Sequence, residues 1–237
     1  MNKKRLILTA VLLYAAVIIW NYPLTYCMGI NGGQFVKTIP LYAKACGFLY
    51  RDWAYKDIVR NITGPGRMDD REKAVAILGW TSENVKAGIP AGLKSVDDHP
   101  LNIIIRQYGA GDQIEDVFTI LCSYAGMRAG MTKCFNKGRT SLMIFSLVNI
   151  NGRWIIFHAG RKKYFLNKNG ALASVQDYLN GDIVLSDEDR AAYGPFLDGL
   201  KNAELLSLTR ADEQMPFRRI PAEIRKSLGR KRDRPAD

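Results

Sequence analysis

Histidine is scarce in this sequence. His99 and His158 are the only two among 237 residues. Cysteine is nearly as rare, and Cys27, Cys46, Cys122 and Cys134 form no CxxC pair and match no zinc spacing. No metal and no other cofactor is therefore expected. Four thiols permit one or two disulfides in an oxidising compartment but do not fix a pairing. Evenly spread basic charge is also lacking. Of the net +11, Lys3, Lys4 and Arg5 supply three, and residues 218–237 carry eight cations against three carboxylates, so the rest of the chain holds only +3. Charge placed at the two ends, with no nucleic-acid module and no basic-aromatic platform, argues against nucleic acid as a partner.

What is present begins with a membrane-type start. Met1 to Arg5 is a positive n-region, and Leu6 to Trp20 is an uncharged apolar run broken by Thr9. Trp20, Tyr22 and Tyr26 suit a membrane interface. The run is shorter than the roughly 20 residues that span a bilayer comfortably, though Asn21 to Leu24 can extend it. No small-x-small cleavage site follows. The reading for residues 1–26 is an uncleaved signal anchor, a single transmembrane helix. With the positive end inside, the domain lies outside the cytoplasm, periplasmic or extracellular.

Residues 27–68 are expected to be an N-terminal helical segment, with one helix over Pro40–Tyr50 and a second over Asp52–Ile62. Asn61-Ile62-Thr63 matches a glycosylation sequon, a weak motif. Asp69-Asp70-Arg71-Glu72 is a capping-box start for a helix running to about Ala87 and stopped by Gly88. Asp97-Asp98-His99-Pro100 gathers two carboxylates and a histidine, which suits either an acid–base site or turn chemistry. Arg106 and Tyr108 follow, placed to bind an anion or sugar hydroxyls, or to hold the next loop.

That loop opens the segment on which the chain is organised, Tyr108 to Ala129. Val117, Ile120, Leu121 and Tyr124 fall at i, i+3, i+4 and i+7, one face of a helix. Phe118, Cys122 and Ala125 widen the face until most of the helix must be buried, and Gly126 ends it. Strands are expected over Ala129–Phe135, Ser141–Asn149 and Arg153–His158, with turns at Asn136-Lys137-Gly138 and Asn151-Gly152, the second a strong hairpin signal. A further hairpin is expected around Asn167–Gly170. Ser174 and Ser186 open two short helices. The fold class is α+β: helices packed on an antiparallel sheet of about four strands. The domain is drawn at 69–208, and 209–237 is a basic tail, reading as disordered or surface-lying.

The Gly-rich loop, the buried helix closed by Gly126, the strand from Met143 and the return strand with Trp154 resemble the transglutaminase-like (papain-like cysteine) superfamily. The resemblance covers about residues 69–182. It implies a nucleophilic Cys at the start of the helix, a His on the first strand and an Asp at the end of the second. Counting from Gly126, the Cys position falls on Gly111. Counting from Gly152, the His position falls on Met143, or on Ser141 with a slip of two. Counting from Trp154, the Asp position falls on His158. None of these residues can take its role, and losing a triad nucleophile or base costs on the order of 10⁶ in turnover.

The resemblance thus implies a fold that has lost the transglutaminase or protease reaction and keeps a groove. Asp112, Gln113, Trp154, His158, His99 and Arg106 are the expected lining, and a protein segment or polysaccharide the expected ligand. Two alternatives stay open. One is a hydrolase or acyltransferase rebuilt around His158, with Asp112, Asp98 or His99 as its partner and Cys122 or Cys134 as a displaced nucleophile. The other is a structural partner of a membrane protein, using aromatic residues between Phe35 and Tyr55.

Overall fold

A computed structural model describes residues 3–30, 33–93 and 97–202, with backbone alone over 25–30 and 33–35. The basic tail expected from 209 lies outside the described residues, as does the Cys27 side chain.

The chain opens with α1 (Lys3–Trp20), a hairpin of β1 (Pro23–Ile30) and β2 (Gly33–Pro40), and the long helix α2 (Leu41–Thr63). Next come α3 (Asp70–Asn84), β3 (Lys86–Ala87), α4 (Pro100–Arg106), β4 (Tyr108–Gly109) and α5 (Gly111–Tyr124). The sheet follows with β5 (Arg128–Phe135), β6 (Leu142–Ile150), β7 (Arg153–His158) and β8 (Lys163–Tyr164), then β9 (Leu166–Asn167), α6 (Val175–Leu179), β10 (Ile183–Val184) and α7 (Asp187–Leu197).

α5 is the axis of the fold. Every residue from Gln113 to Ser123 is buried, which follows from an apolar stripe too wide for one neighbour. It packs in one core with α2, α3, α4 and one face of the sheet, through Ile114, Val117, Phe118, Ile120 and Leu121. Gly126 leaves the helix at φ +93°, a conformation that a side chain would strain.

β5, β6, β7 and β8 form the expected four-stranded antiparallel sheet, in that order. Asn151 and Gly152, at φ 53° and 82°, make the tight β6–β7 turn, a geometry that matches the strand twist. Helices cover both faces. Val148, Ile155 and Phe157 point to the α5 side. Phe145, Leu147 and Ile156 point to a second core, with Tyr193 and Leu197 of α7. Residues 145–148 are consequently buried without a break, where a one-sided sheet would alternate.

Several expectations are corrected. No helix among the described residues is long and apolar enough to cross a membrane. The physical reason lies at the end of α1. Asn21 Nδ2 donates to the Val17 carbonyl and Pro23 already begins β1, so the apolar run gains no length from Asn21–Leu24. The segment 27–40 is largely a hairpin. The two helices expected over 40–62 are one, because no proline interrupts them and Lys56–Asp52 at 2.7 Å supports the joint at i, i+4. α3 has its full capping box on Asp69 and Glu72 but ends at Asn84, since Lys86–Ala87 pairs in parallel with Tyr108–Gly109. The hairpin expected around Asn167–Gly170 does form: Leu166 bridges Leu172, Asn167 N donates to the Ala171 carbonyl and Ala173 N to the Phe165 carbonyl, and β9 pairs with β10 as well.

Candidate functional site

Two polar clusters flank the head of α5. The first is built on the loop before it. Gly109 is a close-approach glycine: a Cβ there would stand 3.1 Å from Ile103 Cγ2 and 3.2 Å from Gln113 Oε1. That proximity lets the Gln113 amide work as a hub. Its Oε1 accepts from Ala110 N at 3.0 Å and from Arg106 Nη2 at 2.7 Å, and its Nε2 donates to Asp98 Oδ1 at 2.6 Å. Arg106 also donates from Nη1 to the Asp97 carbonyl and from Nε to the Tyr108 carbonyl. The buried Asp97 carboxylate accepts from His99 N and Asn102 Nδ2. His99 Nδ1 accepts from Leu101 N at 3.3 Å, the cap of α4. Arg106, Gln113, Asp97, Asp98 and His99 thus tie loop 97–99 and α4 to the start of α5.

The second cluster lies one turn along α5. Glu115, 1% exposed, reaches into the junction of α5 with β6 and β7. Its Oε2 accepts from Ser146 Oγ at 2.5 Å and its Oε1 from Gly160 N at 3.0 Å. His158 Nε2 stands 3.9 Å from Oε1, beyond hydrogen-bond reach. On its other side, His158 Nδ1 is 3.4 Å from the Tyr193 hydroxyl, and the ring meets Tyr193 and Phe145 edge-on. Burial raises the Glu115 carboxyl to about 7, against the lowering pull of Ser146 and of the Gly160 and Ala159 amides. Burial, then the Arg161 charge, lowers His158 to about 4. At neutral pH the imidazole is uncharged and makes no ion pair with Glu115.

The remaining expected site residues sit elsewhere. Gly111 and Asp112 are exposed at the head of α5, and nothing stands within 4 Å of a Cβ built on Gly111. Met143 packs partly buried against the second core. Trp154 lies at the opposite end of β7 from His158, four residues or about 13 Å along the strand; it packs against the second core, with the Arg128 guanidinium over its ring. His158 and His99 do not meet: one joins Glu115 and Tyr193, the other caps α4. The thiols are also apart. Cys122 is buried mid-helix and its pKa is raised by burial, while burial pushes Cys134 on β5 up to about 12. Cys46 is exposed on α2. Among the described residues no group of three or more His, Cys, Asp or Glu side chains is placed to hold a metal.

The sequence reading missed Glu115, Ser146 and Tyr193. Glu115 had a signal: it lies three residues before Phe118 and seven before Cys122, both placed on the widened apolar face. Ser146 alternates with Phe145 and Leu147 in a strand that is covered on both sides.

No family model matches this sequence, and no curated protein matches it. Solved structures do. One is a protein assigned as a cysteine protease from Cytophaga hutchinsonii, at 18% identity, covering 61% of this chain and 45% of that one, with a TM-score of 0.39. The likeness is to cysteine-protease and transglutaminase structures. A protein assigned as a protease from Parabacteroides distasonis has 13% identity over 64% of this chain and 40% of that one, TM-score 0.38. A transglutaminase structure has 10% identity over 57% and 43%, TM-score 0.40. This chain spans less than half the length of each, so the chemistry is read from its own residues.

Proposed function

We propose that this chain is a transglutaminase-like domain without transglutaminase or protease activity, working as a binding or accessory module at a membrane of the cell envelope. The observation that carries the reading is the empty head of α5. Gly111 offers no nucleophile, open space lies above it, and the buried thiols are held protonated elsewhere. Gly111 and Asp112 are exposed, with open space at Gly111, so the head of α5 is accessible to an extended protein segment or a polysaccharide. The cationic start followed by the apolar α1 supports a setting at a membrane.

One observation favours a second reading, a hydrolase rebuilt on His158. A carboxyl near pH 7 beside a neutral imidazole has the values of an acid–base pair. Against it, the Glu115 oxygens are occupied by Ser146 and Gly160, and its 1% exposure leaves no approach for a substrate.

Iodoacetamide labelling of the full chain in detergent, without lipid, beside transglutaminase, peptidase and esterase assays, separates the two. The binding reading expects labelling at exposed Cys46, protection of Cys122 and Cys134, and no turnover. Turnover lost in His158→Ala would establish the second reading. Protease protection in intact cells reads the side of the membrane.

A further inference from the structure

Helix α1 is apolar on every side and none of its residues is buried. Leu6, Leu12, Leu13, Tyr14, Ile19 and Trp20 are each more than half exposed. A helix apolar all round persists only where something apolar covers it. Its Thr9 hydroxyl is closed internally, donating to the Arg5 carbonyl at 2.9 Å, as a surrounding without water requires. Leu6–Trp20 is about 22 Å long at 1.5 Å per residue, short of the roughly 30 Å hydrocarbon layer. Lys3, Lys4 and Arg5 stand at one end, Trp20 and Tyr22 at the other.

The β1–β2 hairpin brings the chain back to that aromatic end. Pro23 pairs with Pro40, and Leu41 N donates to the Tyr22 carbonyl at 2.9 Å. α2 therefore starts beside the place where α1 stops. Along it Tyr42, Cys46, Leu49, Tyr50 and Trp53 fall at i, i+4, i+7, i+8 and i+11, one face, and all are exposed; Leu49 and Trp53 reach 66% and 60%. The opposite face buries Ala54, Tyr55 and Val59 in the domain. α2 carries four cations against two carboxylates.

We propose that this stripe of α2 is a second membrane contact, lying in the head-group region of the anionic bilayer that holds α1. The occupant follows from the chemistry of the surface: Tyr and Trp favour the membrane–water interface, and the net +2 of α2, taken over the whole helix because Lys56 and Arg60 beside the stripe are paired with Asp52 and Asp57, favours acidic head groups. Because α2 is packed into the domain core, the contact fixes which side of the domain faces the membrane. The inference rests on the membrane setting proposed above.

The test uses the full chain carrying Cys27→Ser, so that a nitrobenzoxadiazole thiol dye reports from exposed Cys46. A control carries Cys27→Ser, Cys46→Ser and Lys137→Cys, with the dye on the exposed β5–β6 turn. Both are reconstituted into vesicles of phosphatidylcholine with a minority of phosphatidylglycerol, and into phosphatidylcholine alone. The expected result is iodide quenching at Cys46 at least about threefold weaker than at the control site, as for a face sunk into the head groups, with the protection reduced when phosphatidylglycerol is omitted. Equal quenching at both sites, on a chain that floats with vesicles, overturns the stripe and leaves the membrane setting standing. A chain that floats with neither vesicle overturns both. Protection that rises with protein concentration and needs no lipid identifies a second copy as the occupant and overturns the proposal.

Discussion

Glu115 and His158 make opposite demands on pH, and together they should hide each other. The Glu115 carboxyl is raised from 4.5 to about 7. A carboxyl raised on folding contributes stability that is complete below pH 4.5 and is lost as pH climbs through 7. His158 is lowered from 6.5 to about 4. It is buried neutral, so stability is complete above pH 6.5 and lost as pH falls towards 4. Between about pH 4.5 and 6.5 each slope is about 1.4 kcal/mol per pH unit, with opposite signs. The pair therefore adds almost no slope to the wild-type protein in this window. Asp189 and Asp198, held below 3.8 by hydrogen bonds from Lys163 and Lys201, give up their contribution only at lower pH. Glu115→Gln keeps an acceptor for Gly160 N and places a donor towards Ser146. It removes one slope, and its stability should rise by about 3 kcal/mol from pH 4 to 6.5. His158→Phe keeps the ring against Phe145 and Tyr193, and its stability should fall by about 3 kcal/mol from pH 4.5 to 7. Urea unfolding across this range reads both. The reasoning is refuted if either variant shows the same pH dependence as the wild type, because that group would then titrate alike in the folded and unfolded chain.

Three further outcomes follow from the same structure. The Gln113 side chain joins Arg106, Ala110 and Asp98, so Gln113→Leu should cost roughly 2–4 kcal/mol and raise amide exchange in α4, read by hydrogen exchange. Thr81 is buried in α3 and its hydroxyl has no hydrogen-bond partner among the described residues; Thr81→Val should be neutral or stabilise by up to about 1 kcal/mol in urea unfolding. Phe118, fully buried with its ring 5.2 Å from that of Phe157, joins α5 to the sheet, and Phe118→Ala should cost about 3–5 kcal/mol by the same measurement.

The elements that could be read in the sequence are those whose burial is repetitive. α5 was legible because its apolar stripe recurs with the helical period between two glycines. β6 and β7 were legible because Asn151-Gly152 fixes a turn type as well as a location. The α1 span failed for a local reason: Asn21 and Pro23 decide where the helix stops, and hydropathy over the run does not register a strand starting at Pro23. The β1–β2 hairpin has no alternating pattern to announce it. The candidate site was harder, because its contacts cross long stretches of chain. Gln113 to Asp98 spans 15 residues, Glu115 to Ser146 spans 31, and His158 to Tyr193 spans 35. Spacing placed His158 at the end of its strand. It carried no information on which carboxylate would stand opposite.

The separation of Gly111 from Glu115 is one helical turn, and that turn divides two environments. At Gly111 a side chain would meet open space; at Glu115 it meets a hydroxyl, a backbone amide and the edge of an imidazole. Reactive chemistry needs the first environment, where substrate can arrive and the helix N-terminus can stabilise an anion. Stability is served by the second, where a buried carboxyl is tolerable only because its oxygens are satisfied and its proton is retained near neutrality. Introducing a thiol therefore separates scaffold from chemistry. Gly111→Cys should give a thiol exposed at the head of α5, which iodoacetamide labels faster than Cys46. It should still give no acyl transfer, because neither histidine serves it: His99 caps α4 and His158 stands against Glu115 and Tyr193. Transferase activity in that single variant would show that a base already serves the Gly111 position, and the reading of an inactive cleft would fall.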